Sequence, residues 1–474
     1  MLRFVTAGES HGPALTAIID GLPAGLALDA EQIDRDLRRR QGGYGRGGRQ
    51  RIERDHAEVT GGLMNGVTIG APMAIQIANR DWENWRDRVV PPWRRPRPGH
   101  ADLAGAIKYG LDDLRLVTER ASARETAARV AMGAVCRALL AYVGVRLGSY
   151  VEAIGGVRAG LDDLPLDERL ERALASDVSC PDPAAADAMR AAIDAARAAG
   201  DSLGGVVVAA ALGVPVGLGS HTQWDRRLDG RLAQAVMSVQ AVKGVEIGPA
   251  FENAALPGTR VHDALYPANV PGVGATGGSP RSANVPGVGA TGGSPRPADE
   301  SRVGATGGSP TPADESRVGA TGGSPRSADE SRVGATGRSP RSVDESRVGA
   351  TGGSPRPADG FPVWATGRSP LRGVALVRRT NRAGGVEGGI SNGAPIVVRA
   401  AMKPIPTTVS PQPTVDLDTG EAAETQYQRS DVCAVPAAAV VVEAMVAWVL
   451  ADALLERYGG DHVDAILRRV RDDG

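Results

Sequence analysis

Ala434 to Tyr458, AVPAAAVVVEAMVAWVLADALLERY, is apolar on nearly every side once it is wound into a helix. Pro436 stands in the first turn, where a missing N–H is harmless, and Gly459-Gly460 lies just past the end. A surface helix would carry one apolar stripe, whereas here Val440, Val441, Val442, Met445, Val446, Trp448, Val449 and Leu450 point all around the axis. The segment therefore reads as a helix buried between other layers. It is also the nearest thing in the chain to a membrane span, but Glu443 interrupts it.

Outward from this helix the chain supplies candidate layers. Pro395 to Met402, Leu203 to Leu212, Leu147 to Ile154, Val374 to Arg379 and Leu2 to Thr6 read as strands, being rich in β-branched and small apolar residues. Helices are expected from Asp29 as N-cap to Arg40, from Ala127 to Val143, from Pro183 to Ala199 and from Leu232 to Ala241. Immediately before the buried helix runs Arg429-Ser430-Asp431-Val432-Cys433, with an aspartate near its start. Lys403-Pro404-Ile405-Pro406-Thr407 is a rigid turn with one cation, and GGVEGGISNG around Gly388 is a turn where backbone must approach something closely.

Composition narrows the function classes. A formal net charge of −1 argues against binding nucleic acid by bulk electrostatics, and 3% aromatic residues leave no stacking platform for single strands. Cys136, Cys180 and Cys433 have no metal-ligand spacing and read as reduced thiols. MLRFVTAGESHG lacks a basic region followed by an apolar segment, so a soluble cytoplasmic protein with no membrane partner is expected.

Three stretches carry the chemistry. His11 lies in a glycine-flanked turn, Gly8-Glu9-Ser10-His11-Gly12. Arg38 to Arg51, RRRQGGYGRGGRQR, matches GxGxxG at Gly43, Gly45 and Gly48 but follows a helix, whereas a dinucleotide fingerprint follows a strand. Glycine-permitted turns presenting Arg40, Arg46 and Arg49 to a small polyanion fit it better, since a guanidinium donates two parallel hydrogen bonds. The third stretch, Arg97 to Thr126, starts with His100 in a Pro/Gly loop. It ends in Arg120-Ala121-Ser122-Ala123-Arg124-Glu125-Thr126, where Ser122 and Glu125 are spaced as a capping box. A capped helix end between arginines favours an anion, so imidazole and anion site lie in one segment. The plainer reading is a capped surface helix with an ordinary loop histidine before it.

From Asn269 a 15-residue unit repeats: NVPGVGATGGSPRSA, NVPGVGATGGSPRPA, then DESRVGATGGSPTPA and three close variants. A degenerate copy, DGFPVWATGRSPLRG, ends at Gly373. One or two valines per unit among Gly, Ser and Pro cannot offset the entropy of ordering the backbone. Residues 269–370 are therefore expected to be a disordered insertion, costing on the order of a few kcal/mol in loop closure.

No HExxH, CxxC or P-loop is present, and glycine loops with arginines, two histidines and an aspartate point to a small, strongly anionic substrate. The ordered strings GESHGPAL, RRQGGYGRGGR, RPGHADL, RASARET, SVQAVKGVEIG, GGISNG, KPIPT and RSDVCAVP resemble the chorismate synthase family. The resemblance covers the chain outside the repeats, so that 1–268 and 371–474 would form one catalytic domain.

That resemblance implies an α+β fold, a β-α-β sandwich with central buried helices between antiparallel sheets, assembled as a homotetramer. It implies a lyase of the shikimate pathway that converts 5-enolpyruvylshikimate 3-phosphate into chorismate and phosphate by 1,4-anti elimination. Reduced FMN would be the cofactor, with NADPH or an external flavin reductase as the source of electrons. Residue by residue, it places His11 at the departing phosphate, His100 beside the flavin, and Asp431 where it helps the flavin accept a proton. FMN contacts would fall on Arg120, Ala121, Ser122, Gln240, Ala241, Gly388, Lys403, Pro404, Ile405, Pro406, Thr407 and Arg429. Arg40 and Arg46 match positions linked to NADP binding, with Arg49 beside them, and all three serve equally well as clamps for a substrate anion. Two other readings stand against this one: the same fold with activity impaired by the insertion, and an RNA-binding or scaffold protein built on the Arg/Gly stretch and the repeats.

Overall fold

Val435–Tyr458 is a single helix of 24 residues, and 94% of its most apolar stretch is buried inside the protein. It is long and apolar enough to cross a membrane, but its neighbours are protein: four other helices and the strands of a sheet. The computed structural model describes residues 1–48, 52–267, 361–363, 376–428 and 430–473. Arg49, Arg429 and the repeats expected to be disordered lie outside the described residues, apart from the backbone of Phe361–Val363.

Two antiparallel sheets enclose the helices. In the first, the spatial order is Arg3–Ala7, Ala14–Asp20, Met73–Ala78 and Ala57–Gly61. Its strands alternate: Leu15, Ala17 and Ile19 are buried while Thr16 and Ile18 face outward, the period-2 pattern of a sheet covered on one side. In the second sheet the order is Val242–Ile247, Ile396–Met402, Gly205–Leu212, Arg146–Ile154 and Val157–Arg158. Its middle strand, GVVVAAAL, does not alternate because its central residues are buried on both faces.

The helix Thr126–Tyr142 lies on the first sheet and the helix Val435–Tyr458 on the second, and the two pack against each other. Gly133 permits this: a Cβ there would stand 2.3 Å from Ala444 Cβ and 2.6 Å from Ala444 Cα. Any side chain at 133 would push the helices apart along their whole contact. The architecture is the expected sheet–helix–sheet sandwich of class α+β.

One buried charge cluster ties the layers together. Glu443, at the middle of the central helix, accepts from Arg39 Nη1 and Nη2 (3.0 and 2.7 Å), Arg137 Nη1 (3.1 Å) and Ser149 Oγ (2.7 Å). The same arginines reach Asp36, Arg39 at 3.2 Å and Arg137 at 2.5 Å.

The elements differ from the sequence reading in several places. The helix expected from Leu232 to Ala241 is Leu228–Met237, because Ala241 takes the left-handed conformation (φ +65°) and turns the chain into the next strand. Within Arg97 to Thr126 the sequence reading missed two helices, Asp102–Tyr109 and Leu114–Ala121, and it missed a third at Leu166–Leu174. A three-stranded sheet closes the base of the insertion: Leu265–Pro267 and Phe361–Val363 pair with opposite edges of Leu376–Arg378.

Candidate active site

The site begins on the short helix Leu114–Ala121, capped by Asp113, whose carboxylate accepts from Arg115 N at 2.9 Å. The helix stops at Ser122, which also opens the 3₁₀ turn Ala123–Glu125 that runs into Thr126–Tyr142. Half of the expected capping box forms, the Ser122 hydroxyl accepting from Arg124 N at 3.3 Å. Glu125 does not reach back. Its carboxylate accepts instead from the Thr6 hydroxyl (2.7 Å), Arg129 Nε (2.9 Å) and Gln240 Nε2 (3.1 Å). Arg120 and Ala121, expected at a helix start, are the last residues of the preceding helix.

His11 is held by Glu119 through both its side chain and its backbone. Nδ1 lies 2.8 Å from Glu119 Oε1, and the backbone N–H donates to Glu119 Oε2 at 2.7 Å. The ring also lies against Trp85, with centroids 4.2 Å apart. Asn79 braces this turn by donating to the carbonyls of Glu9 (3.1 Å) and Gly12 (2.7 Å). His100 is held similarly, its Nδ1 2.5 Å from Asp102 Oδ1, and Thr118 Oγ1 donates to that oxygen at 2.8 Å. Arg97 donates through Nε to Asp102 Oδ2 (2.8 Å) and through Nη1 to Thr407 Oγ1 (3.2 Å). Thr118 and Glu119 are consecutive, so both imidazole–carboxylate pairs rest on neighbouring residues of one helix.

From these pairs, hydrogen bonds and immediate chain neighbours together close a circuit. Lys403 Nζ donates to Gly99 O at 2.6 Å, and Lys403 N to Ala241 O at 2.9 Å. Gln240 leads to Glu125, and Glu125 to Thr6, on which Arg120 Nη2 also donates at 2.8 Å. Ser122 Oγ donates to Ser10 Oγ at 3.1 Å, and Ser10 N donates to Glu119 O at 3.0 Å, returning to His11. His11, His100, Arg120, Ser122, Gln240, Ala241, Lys403 and Thr407 are thus joined.

Asp431 sits on an adjoining branch. Its Oδ2 takes Arg46 Nη1 and its Oδ1 the Gly47 N–H, both at 2.6 Å. Val432 O accepts from Leu203 N at 2.8 Å, and neighbouring Ser202 donates to Ile405 O at 2.7 Å, which links Asp431 to the Lys403–Thr407 turn. Gly45 allows the approach, because its carbonyl accepts from Val432 N and Cys433 N while its φ is +88°.

Arg40 is 4% exposed and donates to Thr126 Oγ1 (2.8 Å) and Ala123 O (2.9 Å). Burial pushes its guanidinium down to about 9; Asp55 opposes the fall, and Arg124 and Arg46 add to it. With its donors turned inward, Arg40 is the poorer anion clamp. Arg46 keeps one donor in hand beside its bond to Asp431, since its Nε is buried without a hydrogen-bond partner. Gly388 stands apart, at the tip of the hairpin Val386–Glu387/Ile390–Ser391, where the next residue, Gly389, accepts from Leu228 N. Among the described residues no hydrogen bond joins that tip to the circuit.

The sequence reading missed Glu119, Asp102, Thr118, Arg97 and Trp85 as parts of the site. Asp102 had a signal, being two residues from His100 in RPGHADL. Glu119 had none, since 108 positions separate it from His11.

Fold and site together define an α+β sandwich in which two imidazole–carboxylate pairs stand in one circuit with arginine, serine, glutamine and lysine side chains. The chorismate synthase family model matches residues 2–293 and 360–455. The chain is 45% identical to the chorismate synthase of Moorella thermoacetica and 44% identical to that of Geobacter sulfurreducens, in each case over 99% of this chain and 97% of the relative. A crystal structure of a chorismate synthase superposes with a TM-score of 0.64 at 36% identity, covering 99% of this chain and 96% of the other. The chain belongs to the chorismate synthase family, a family of lyases in the shikimate pathway.

Proposed function

We propose that this protein eliminates phosphate from 5-enolpyruvylshikimate 3-phosphate to give chorismate, with reduced FMN bound against the circuit. The observation that carries the reading is the circuit itself, which joins both imidazole–carboxylate pairs to Arg120, Ser122, Gln240 and Lys403. The residues fit a flavin: Gln240 Oε1 is buried without a partner, an acceptor of the kind that a ring N–H satisfies. Arg120, Ala121, Ser122, Gln240, Ala241 and the Lys403–Thr407 turn would hold the cofactor, with Arg429 and Gly388 completing the set.

Reduced FMN would lend electron density to the breaking C–O bond and recover it, so that no net oxidation occurs. His11 protonates the departing phosphate, His100 holds a proton beside the cofactor, and Asp431, fixed by Arg46 and Gly47, would help the cofactor accept the proton lost from C6. Arg46, with Arg40 and Arg49 near it in sequence, takes NADPH or the substrate's anionic groups. Residues 1–268 and 371–474 form one catalytic domain of a cytoplasmic homotetramer, and the repeats are a passive insertion. The reductant is NADPH acting directly or an external flavin reductase.

Under anaerobic conditions, phosphate release is expected only when reduced FMN is supplied. Release without flavin, or none with it, overturns the reading, and adding NADPH to oxidised FMN separates the two sources of electrons. Deleting residues 269–370 is expected to leave turnover within about twofold, because closure entropy depends only weakly on loop length. A large gain in rate on deletion would show that the insertion hinders the site.

A further inference from the structure

We infer that Glu119 and Asp102 are positioning residues that fix the tautomers of His11 and His100, with the helix Leu114–Ala121 as their common support. This rests on the proposed roles of the two histidines. Each carboxylate meets Nδ1, so each ring carries its neutral-state proton on Nδ1; Arg97 Nη2, 3.1 Å from His100 Nδ1 and 3.4 Å from its Nε2, is a donor and so suits an accepting Nε2. Glu119 does more than pair a charge. One oxygen meets the ring and the other accepts the backbone N–H of the same residue, so both the position of His11 and the rotation of its ring depend on one side chain.

Glutamine cannot replace it: an amide offers one oxygen and an NH₂, and the NH₂ would face one of two donors. Asp102 is constrained in the same way. Oδ1 takes His100, Thr118 and Arg97 Nη2, Oδ2 takes Arg97 Nε, and an asparagine would turn NH₂ toward a donor on one side or the other. The charged groups about each ring agree. Burial opposes ionisation of Glu119, yet the His11 ring and N–H together with Arg115 hold its carboxyl below the usual range. Burial likewise opposes ionisation of Asp102, and His100 and Arg97 hold it well below.

Because Thr118 and Glu119 are adjacent, a shift of this helix moves both rings together. The two anchors differ in kind: Glu119 touches His11 directly, whereas Thr118 acts on His100 through Asp102.

The full chain, labelled with ¹⁵N-histidine, reports tautomers directly by NMR. In the unaltered protein His11 and His100 should show the Nδ1–H form. Glu119→Gln should move His11 alone toward the Nε2–H form, and Asp102→Asn should move His100 alone. Each should lower kcat by about 10²-fold while KM changes little, the loss typical of a misplaced proton-transfer group. Glu119→Asp, which keeps two acceptors, should retain the His11 tautomer and recover part of kcat, and it serves if the glutamine variant folds poorly. Unchanged tautomers in Glu119→Gln and Asp102→Asn overturn the inference. Full turnover in His11→Ala and His100→Ala would instead overturn the proposed roles of the histidines, whatever the tautomers show.

Discussion

Replacing His100 by alanine is expected to lower turnover about 10²–10⁴-fold while leaving the fold intact, the usual loss for a proton-transfer group. The ring is 16% exposed, and Asp102, Thr118 and Arg97 hold it from the protein side, so its removal leaves one small cavity and frees a carboxylate that Arg97 still pairs. Stability should therefore change far less than rate. His56 is an internal control. It forms the same kind of pair, Nδ1 to Asp34 at 2.6 Å, but its side chain is 68% exposed and among the described residues no hydrogen bond joins it to the circuit. His56→Ala should keep turnover within about twofold, because an exposed pair contributes little beyond its own locality. Steady-state phosphate release with reduced FMN decides the matter. Equal losses in the two variants would mean that an imidazole–carboxylate pair alone, and not membership of the circuit, is what matters. Asp431→Ala should resemble His100→Ala in rate, and it also strands Arg46, so some loss of stability is expected with it.

Replacing Glu443 by alanine should destabilise the protein by about 3 kcal/mol, near the lower end of what breaking a buried ion pair costs. The lower end applies because Asp36 remains to pair both Arg39 and Arg137. The pH dependence has a definite sign. Burial opposes ionisation of Glu443, but Arg39, Arg137 and Ser149 win, and its carboxyl lies below the usual range. A carboxyl depressed on folding contributes stability that is present above its unfolded value and is lost as pH falls through its folded value. Asp36 runs the other way: burial, with Glu443 beside it, raises its carboxyl despite Arg137 and Arg39. It therefore gains a proton on folding and adds stability as pH falls toward the ordinary carboxylate range. Denaturant titrations between pH 7 and pH 3 should show Glu443→Ala less stable at pH 7, with a shallower acid limb. An unchanged limb would mean that Glu443 does not govern acid unfolding.

What was legible in the sequence was local. The N-cap at Asp29, the stops at Gly42 and Gly459 and the strand run before Leu212 came out within a few residues, because caps and apolar period act between near neighbours. Where local signals were ambiguous, tertiary contacts overrode them. Ala241 breaks an apparently helical run because Lys403 N donates to its carbonyl while the chain turns through a left-handed residue. Glu125 abandons the capping box because Thr6, Arg129 and Gln240 offer it better donors.

The candidate site divides along the same line. His11, His100, Asp431 and the FMN positions came from ordered strings resembling a family, and the family assignment holds. Their anchors did not come that way. Nothing near His11 names Glu119, and nothing near Glu443 names Arg39, Arg137 or Ser149. By itself the sequence determined that the 435–458 helix must be buried, because an all-round apolar surface has no face to offer water. Only the tertiary structure decided what lies against it and which carboxylate holds which imidazole, because those partners meet only after the sheets and helices have packed.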